Sequence, residues 1–177
     1  MNVFSAQAYL DDVTHSIRKH KVMAERAFGQ LDDGAFFQKP AAECNSVAVV
    51  VKHLAGNLTA RWTDFLTTDG EKPWRDRDAE FVIAPEDTRA NLLAAWEKGF
   101  QALLQTLETL QEGDFTKQVM IRGEPHTVAQ AIQRSLTHTV YHIGQIIYIA
   151  KMLKTADWQW ITIPPGQSKQ HSKPYLQ

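Results

Sequence analysis

The sequence predicts an all-α fold, an up-down-type four-helix bundle with one long crossover. Two observations carry this. Four long segments place apolar residues at helical spacing. Turn and cap residues punctuate the chain between them. The 177 residues suit one domain with one sizeable core. The expected division is a bundle over about 5–154 and an irregular tail over 155–177.

The first helix is expected from about Ser5 to Leu31, with Leu10, Val13, Ile17, Ala24, Phe28 and Leu31 in line. Gly34 and then Pro40 close it. The second is expected from Asn45-Ser46, either of which can cap it, to about Thr67, where Asp69-Gly70 stops it. The third opens near Pro85-Glu86-Asp87 and runs to about Leu110, turning Leu92, Leu93, Trp96, Phe100, Leu103, Leu104 and Leu107 inward. The fourth opens with the capping box Thr127-Val128-Ala129-Gln130 and runs to about Leu153. The link from Glu71 to Ala84 is long enough to have a task or to pack over the surface. Met120 to Pro125 reads as a short extended piece with a turn. The tail after Trp160, with Pro164-Pro165-Gly166, reads as irregular or loosely ordered.

Composition excludes several function classes. Lys+Arg number 19 and Asp+Glu 20, so no basic surface for nucleic acid or anionic membrane is expected. No run approaches the roughly 20 apolar residues of a membrane span. One cysteine, Cys44, rules out an internal disulfide framework. The first residues, Met1 to Gln7, lack the basic and apolar regions of a signal peptide. The expected location is cytoplasmic. No Gly-rich phosphate loop, nucleophile elbow or CxxC motif is present. Thr139, Val140 and Tyr141 stand between His138 and His142, so the zincin His-Glu-x-x-His motif is absent too.

The chemistry lies in the histidines. His138 and His142 are four residues apart, which places both imidazoles on one helix face. That face is apolar: Ala131 and Ile149 share the line, and Ile132, Leu136, Ile143, Ile146 and Leu153 flank it. His53 occupies the same kind of position on the second helix, in line with Asn57, Ala60 and Asp64 and among Val49, Val50, Leu54, Leu58 and Phe65. A buried polar line is unfavourable unless its members are satisfied. A divalent cation satisfies imidazoles directly, and bundle cores are where such sites are built. His53, His138 and His142 are therefore the candidate metal ligands. Asn57, Asp64 and Gln145 are candidates to hold those ligands or touch a substrate. The alternative reading is three hydrogen-bonded core histidines. His20 is a reserve ligand or core residue, His126 a loop or mouth-of-site residue, and His15 and His171 surface residues. No catalytic residue is identified, since no general base sits within the motif. Imidazole suits zinc, nickel, copper and iron alike.

His53-Leu54-Ala55-Gly56-Asn57, joined to Thr137-His138-Thr139-Val140-Tyr141-His142-Ile143-Gly144-Gln145-Ile146, resembles the DinB/YfiT-like superfamily. Ser46 to Asn57 and Arg61 to Trp74 look like one bacterial branch of it. The likeness spans about Ser5 to Trp160. It implies a four-helix bundle, often dimeric, with a divalent metal, commonly nickel or zinc, held by three histidines. These map onto His53, His138 and His142. It also implies a small-molecule substrate, with thiol-dependent transferases using bacillithiol, mycothiol or glutathione-like cosubstrates among its members. The expected function is a metal-dependent enzyme of thiol S-transferase or hydrolase type. The alternative is a non-catalytic bundle with a structural metal, or a dimeric interaction or stress protein. Trp62, Phe65, Trp74, Trp158 and Trp160 are more large aromatics than one bundle needs, so some are expected exposed at a homodimer interface.

Overall fold

The computed structural model describes residues 5–171, the side chain of His171 excepted. The readings of Met1 to Phe4, of the His171 side chain and of the last six residues of the tail lie outside the described residues.

Four long helices form the body: α1 (Ala6–Phe28), α3 (Val47–Trp62), α4 (Arg89–Thr109) and α5 (Val128–Leu153), with a short α2 (Asp33–Phe37) after the first. Strands β1 (Gln118–Ile121) and β2 (Glu124–Thr127) form an antiparallel hairpin with Met120 opposite Pro125. A terminal turn of helix, α6, spans Ser168–His171. α3 packs most heavily on α4 and then on α5, while α1 packs on α5. No helix among the described residues is long and apolar enough to cross a membrane.

Side-chain caps start the long helices. Ser5, Ser46, Thr88 and Thr127 each accept a hydrogen bond from a backbone N–H one turn on. Thr127 and Gln130 complete the expected capping box. Three boundaries differ from the expectation. α1 stops at Phe28, where the Gly29 N–H turns back to the Glu25 and Ala27 carbonyls. Leu31 stays buried without being helical, and Asp32 caps α2, which hydrophobic spacing alone does not reveal in five residues. α3 stops at Trp62, because the Thr63 N–H and hydroxyl both return to Thr59 O and Asp64 turns to φ 49°. α4 starts at Arg89, because Asp87 is engaged in a turn with the Ala84 N–H and Lys52.

The core gathers Phe28, Phe36, Trp96 and Phe100 in edge-on and tilted contacts with centroids 4.5–6.1 Å apart. Trp62 Nε1 donates to Ser135 Oγ at 3.1 Å and joins α3 to α5. Two expected interface aromatics are internal: Trp62 and Phe65 are buried and stacked at 4.6 Å. Trp158 packs against the core, while Trp74 and Trp160 are exposed. The tail is irregular but docked. Arg26 donates to the carbonyls of Trp160 and Ile161, and Gln30 exchanges two hydrogen bonds with the Gln159 backbone.

Gly99 sets the closeness of α4 to α3. A Cβ there would lie 3.0 Å from the Ala55 carbonyl oxygen and 3.2 Å from Leu58 Cβ. Gly99→Leu is expected to lower unfolding stability by about 1–3 kcal/mol through overpacking, read by denaturant titration. An unchanged midpoint would mean the two helices separate freely.

Candidate metal centre

α3 and α5 deliver the three histidines to one point. His53 is 3% exposed, and His138 and His142 are half-buried. The Nε2 atom of His138 lies 3.4 Å from that of His53 and 3.2 Å from that of His142. One nitrogen from each residue fits within a 4.8 Å span, and the described residues bring no fourth such ligand into the group.

The other ring nitrogens fix how the imidazoles face. His53 Nδ1–H donates to Glu80 Oε2 at 2.8 Å. His142 Nδ1–H donates to Gln145 Oε1 at 2.8 Å. Both Nε2 atoms therefore carry lone pairs aimed at His138. A single Nε2–H on His138 satisfies one of them and leaves the other bare. His138 Nδ1 is itself buried without a hydrogen-bond partner. Burial pushes the His138 pKa down to about 3, with help from His142, His53, Arg61 and Arg75. Burial lowers the His142 pKa as well, against the hydrogen bond to Gln145. Extra protons are thus a poor solution. A cation suits the arrangement: nitrogens about 2.0–2.1 Å from a tetrahedral zinc lie about 3.3 Å apart. The residues fit a divalent metal.

The crossover between α3 and α4 supplies what periodicity could not show. A 3₁₀ turn over Ala79–Phe81 places Glu80 under His53 and lays the Phe81 ring 4.8 Å from the imidazole. Arg75 grips the same carboxylate with Nε at 2.7 Å and Nη2 at 2.8 Å. Burial alone would raise the Glu80 pKa, but hydrogen bonds from His53 and Arg75 and the Arg75 charge win, and it falls. A carboxylate behind a ligating histidine fixes its tautomer and ring plane. Gly56 makes room for it, since a Cβ there would lie 2.8 Å from the Glu80 carboxyl carbon.

Of the other candidates, Asn57 is buried and lines the cavity beside the histidines. Asp64 does not take part: it lies past the end of α3, exposed, and its carbonyl closes the turn to Thr67 and Thr68. The helical line drawn through it ends one turn too soon. His20 hydrogen-bonds to its own helix through Ser16 O and stays outside the group. His126 accepts from Arg134 at 3.3 Å at the cavity edge. Cys44 and His15 are exposed. The cavity has a volume of about 190 Å³ and reaches two of the three histidines, His53 and His138.

The family described as "Protein of unknown function (DUF1572)" matches residues 4–167. The chain belongs to this family. A solved structure adds the fold of this DUF1572 chain: YfiT from Bacillus subtilis, described as a probable metal-dependent hydrolase with an unusual four-helix bundle topology. It aligns with a TM-score of 0.67 at 20% identity, over 86% of this chain and 91% of YfiT. The resemblance to the DinB/YfiT-like superfamily is borne out in the architecture. No match was found among the curated proteins.

The lowered histidines set a pH dependence. The folded pKa of His138 lies below its ordinary 6.5, so between the two values the unfolded chain binds more protons. Its contribution is whole above 6.5 and is lost as pH falls toward the folded value. His142 acts in the same direction. Chelator-treated protein is expected to show a falling Tm from pH 6.5 to 5, and His138→Asn to flatten that slope. An equally steep slope in the variant would assign the effect elsewhere.

Proposed function

We propose that this protein is a divalent-metal-dependent enzyme acting on a small molecule, with hydrolysis as its reaction and His53, His138 and His142 as ligands. The observation that carries this reading is the half-open geometry. Three Nε2 atoms converge with no fourth protein ligand among the described residues, and a cavity reaches His53 and His138. A closed structural site uses four protein ligands, whereas three ligands with open positions is the catalytic pattern.

The chemistry a divalent ion supplies in such a site is Lewis-acid chemistry, acidifying a water or a thiol and polarising an acyl or phosphoryl oxygen. The protein's own groups do the rest. Glu80 and Gln145 hold His53 and His142 in the tautomer that presents Nε2. Phe81 covers one face of His53 and shields it from water. Asn57 and Ser135 offer neutral polar contacts along the cavity wall. Zinc or nickel is the proposed metal, on the superfamily resemblance. YfiT's description as a probable metal-dependent hydrolase supports hydrolysis, with a low-molecular-weight thiol replacing water in the transferase variant of the same chemistry.

Protein purified without chelator is expected to hold close to one divalent ion per chain by elemental analysis, and His142→Ala to lose most of it. A panel of small esters, and of electrophiles with and without added thiols, should show turnover that needs both metal and His138 and survives Cys44→Ala. Full metal content in His142→Ala would overturn the ligand assignment. Metal-dependent thermal stability without any turnover would favour a structural ion instead.

The protein is further proposed to pair with a second copy of itself, as the superfamily resemblance implies. Tyr141, Tyr148 and Met152 stand along α5 at 62%, 71% and 48% exposure, a row of large, largely exposed side chains on one helix. Light scattering should give about twice the 20.1 kDa of one chain, and Tyr148→Asp should return it to that value. A wild-type mass of one chain at micromolar concentration refutes pairing.

A further inference from the structure

The cavity beside the histidines is lined by Arg61, Arg77, Arg122 and Arg134, and among the described residues no carboxylate lines it. In a chain whose formal net charge is −1, four guanidinium groups on one small cavity are a local concentration of positive charge.

Their acidic partners are shared or distant, and neutralise them only in part. Arg75, behind the cavity, is matched by Glu80. Arg122 shares Glu71 with Arg75, at 3.1 Å and 3.5 Å. Arg77 reaches Asp78 only at 4.0 Å and lies over the Phe81 ring. Arg134 donates to His126 Nε2 and has no carboxylate partner among the described residues. Arg61 is the most telling. It is 8% exposed, its Nε is buried with no hydrogen-bond partner among the described residues, and Arg134, Arg75 and Arg122 crowd it, offset in part by the charges of Glu71 and Asp69. Burial first, then those like charges, lower its pKa to about 10. A guanidinium held in this way is unfavourable in the free protein and is relieved by an incoming anion.

Further donors face the same space. Trp62 Nε1 occupies one lone pair of Ser135 Oγ, which leaves the Ser135 hydroxyl hydrogen to donate. The Asn57 amide lies on the cavity wall one helical turn from each of His53 and Arg61. A planar guanidinium with adjacent neutral donors matches the geometry of an oxyanion.

We infer that the cavity is the binding site for an oxyanion group, phosphoryl or carboxyl, on the substrate, with Arg61 as its principal partner and Arg134 and Arg77 at the mouth. The bond to be cleaved then lies on the histidine side, where the cavity meets His53 and His138. This names the substrate class for the enzyme proposed above and rests on that reading for its reaction, though not for its binding. The arginines also draw anions toward the site from solution, an attraction that falls with added salt.

Calorimetric titration of metal-loaded protein with methyl phosphate, acetate and uncharged acetamide tests this. Saturable binding of at least one anion and none of acetamide is expected, and the tighter anion identifies the group recognised. Arg61→Gln should weaken that binding about tenfold or more, the scale of one charged hydrogen bond. Arg134→Gln, at an exposed position, should weaken it in the same direction without disturbing the fold. Metal content per chain should stay unchanged in both variants. The same titrations on chelator-treated protein separate the two proposals. If the protein never holds a metal but Arg61-dependent anion binding persists, the metal reading fails and this one stands. If anions bind equally to wild type and both variants, bind no better than acetamide, or do not bind, this inference is overturned whatever the metal content.

Discussion

The carboxylate of Glu80 is the joint on which the site depends. It receives His53 from α3 and a two-pronged grip from Arg75 on the crossover, all from a position 6% exposed. A buried carboxylate is tolerated only when its oxygens are matched, and here each oxygen receives at least one strong donor. The consequence runs outward. Because Glu80 accepts the hydrogen bond from His53 Nδ1–H, Nε2 is free to face His138. Because Gly56 has no side chain, the carboxylate can press against the helix that carries His53. The long crossover is therefore part of the site, and Phe81 beside Glu80 completes the cover over the imidazole.

Charge on the cavity follows from the same joint. Glu80 consumes Arg75, and Glu71 is divided between Arg75 and Arg122. These carboxylates are engaged in the frame of the cavity, which leaves Arg61 buried in its wall and Arg134 at its exposed mouth without a carboxylate within ion-pair distance among the described residues. Gly70 contributes to this arrangement, since a Cβ there would lie 3.0 Å from Arg61 Cδ and displace the guanidinium. The hairpin helps from the other side. Asp69 accepts from the backbone N–H groups of Arg122 and Gly123, which holds the tip of the hairpin at the cavity edge with Arg122 at φ 56°.

Periodicity found the parts of this molecule that repeat and missed those that do not. His53, His138 and His142 stood on apolar helical faces, so their convergence could be expected from spacing alone. Gln145 followed because it lies three residues beyond His142, one turn along the same face. Asp64 was misplaced by the same reasoning, because a helical line assumes the helix continues and Thr63 ends it. Glu80 and Arg75 had no period to betray them, sitting in an irregular link among alternating charges. The arginines are spread over α3, the crossover, the hairpin and α5, so an overall charge near zero concealed a basic pocket. A glycine within the apolar α3, at Gly56, was the one sequence signal that something must approach that helix closely.

The distribution of packing bears on whether a metal here would serve stability or chemistry. Structural ions matter most in chains too small to build a core. This chain has a continuous core running from Leu10 to Ala150, with Trp96 and Phe100 fully buried. α3 and α5 are already joined by Trp62 and Ser135, about two and a half turns from His53 along α3. A metal clamp between the same two helices would add little that this contact and the surrounding apolar packing lack. His138 and His142 instead burden the fold, since their burial favours the neutral state and leaves His138 Nδ1 without a partner among the described residues. Groups that weaken the folded chain and gather at a cavity lined by four arginines only partly matched by carboxylates are placed where binding, rather than packing, is favoured.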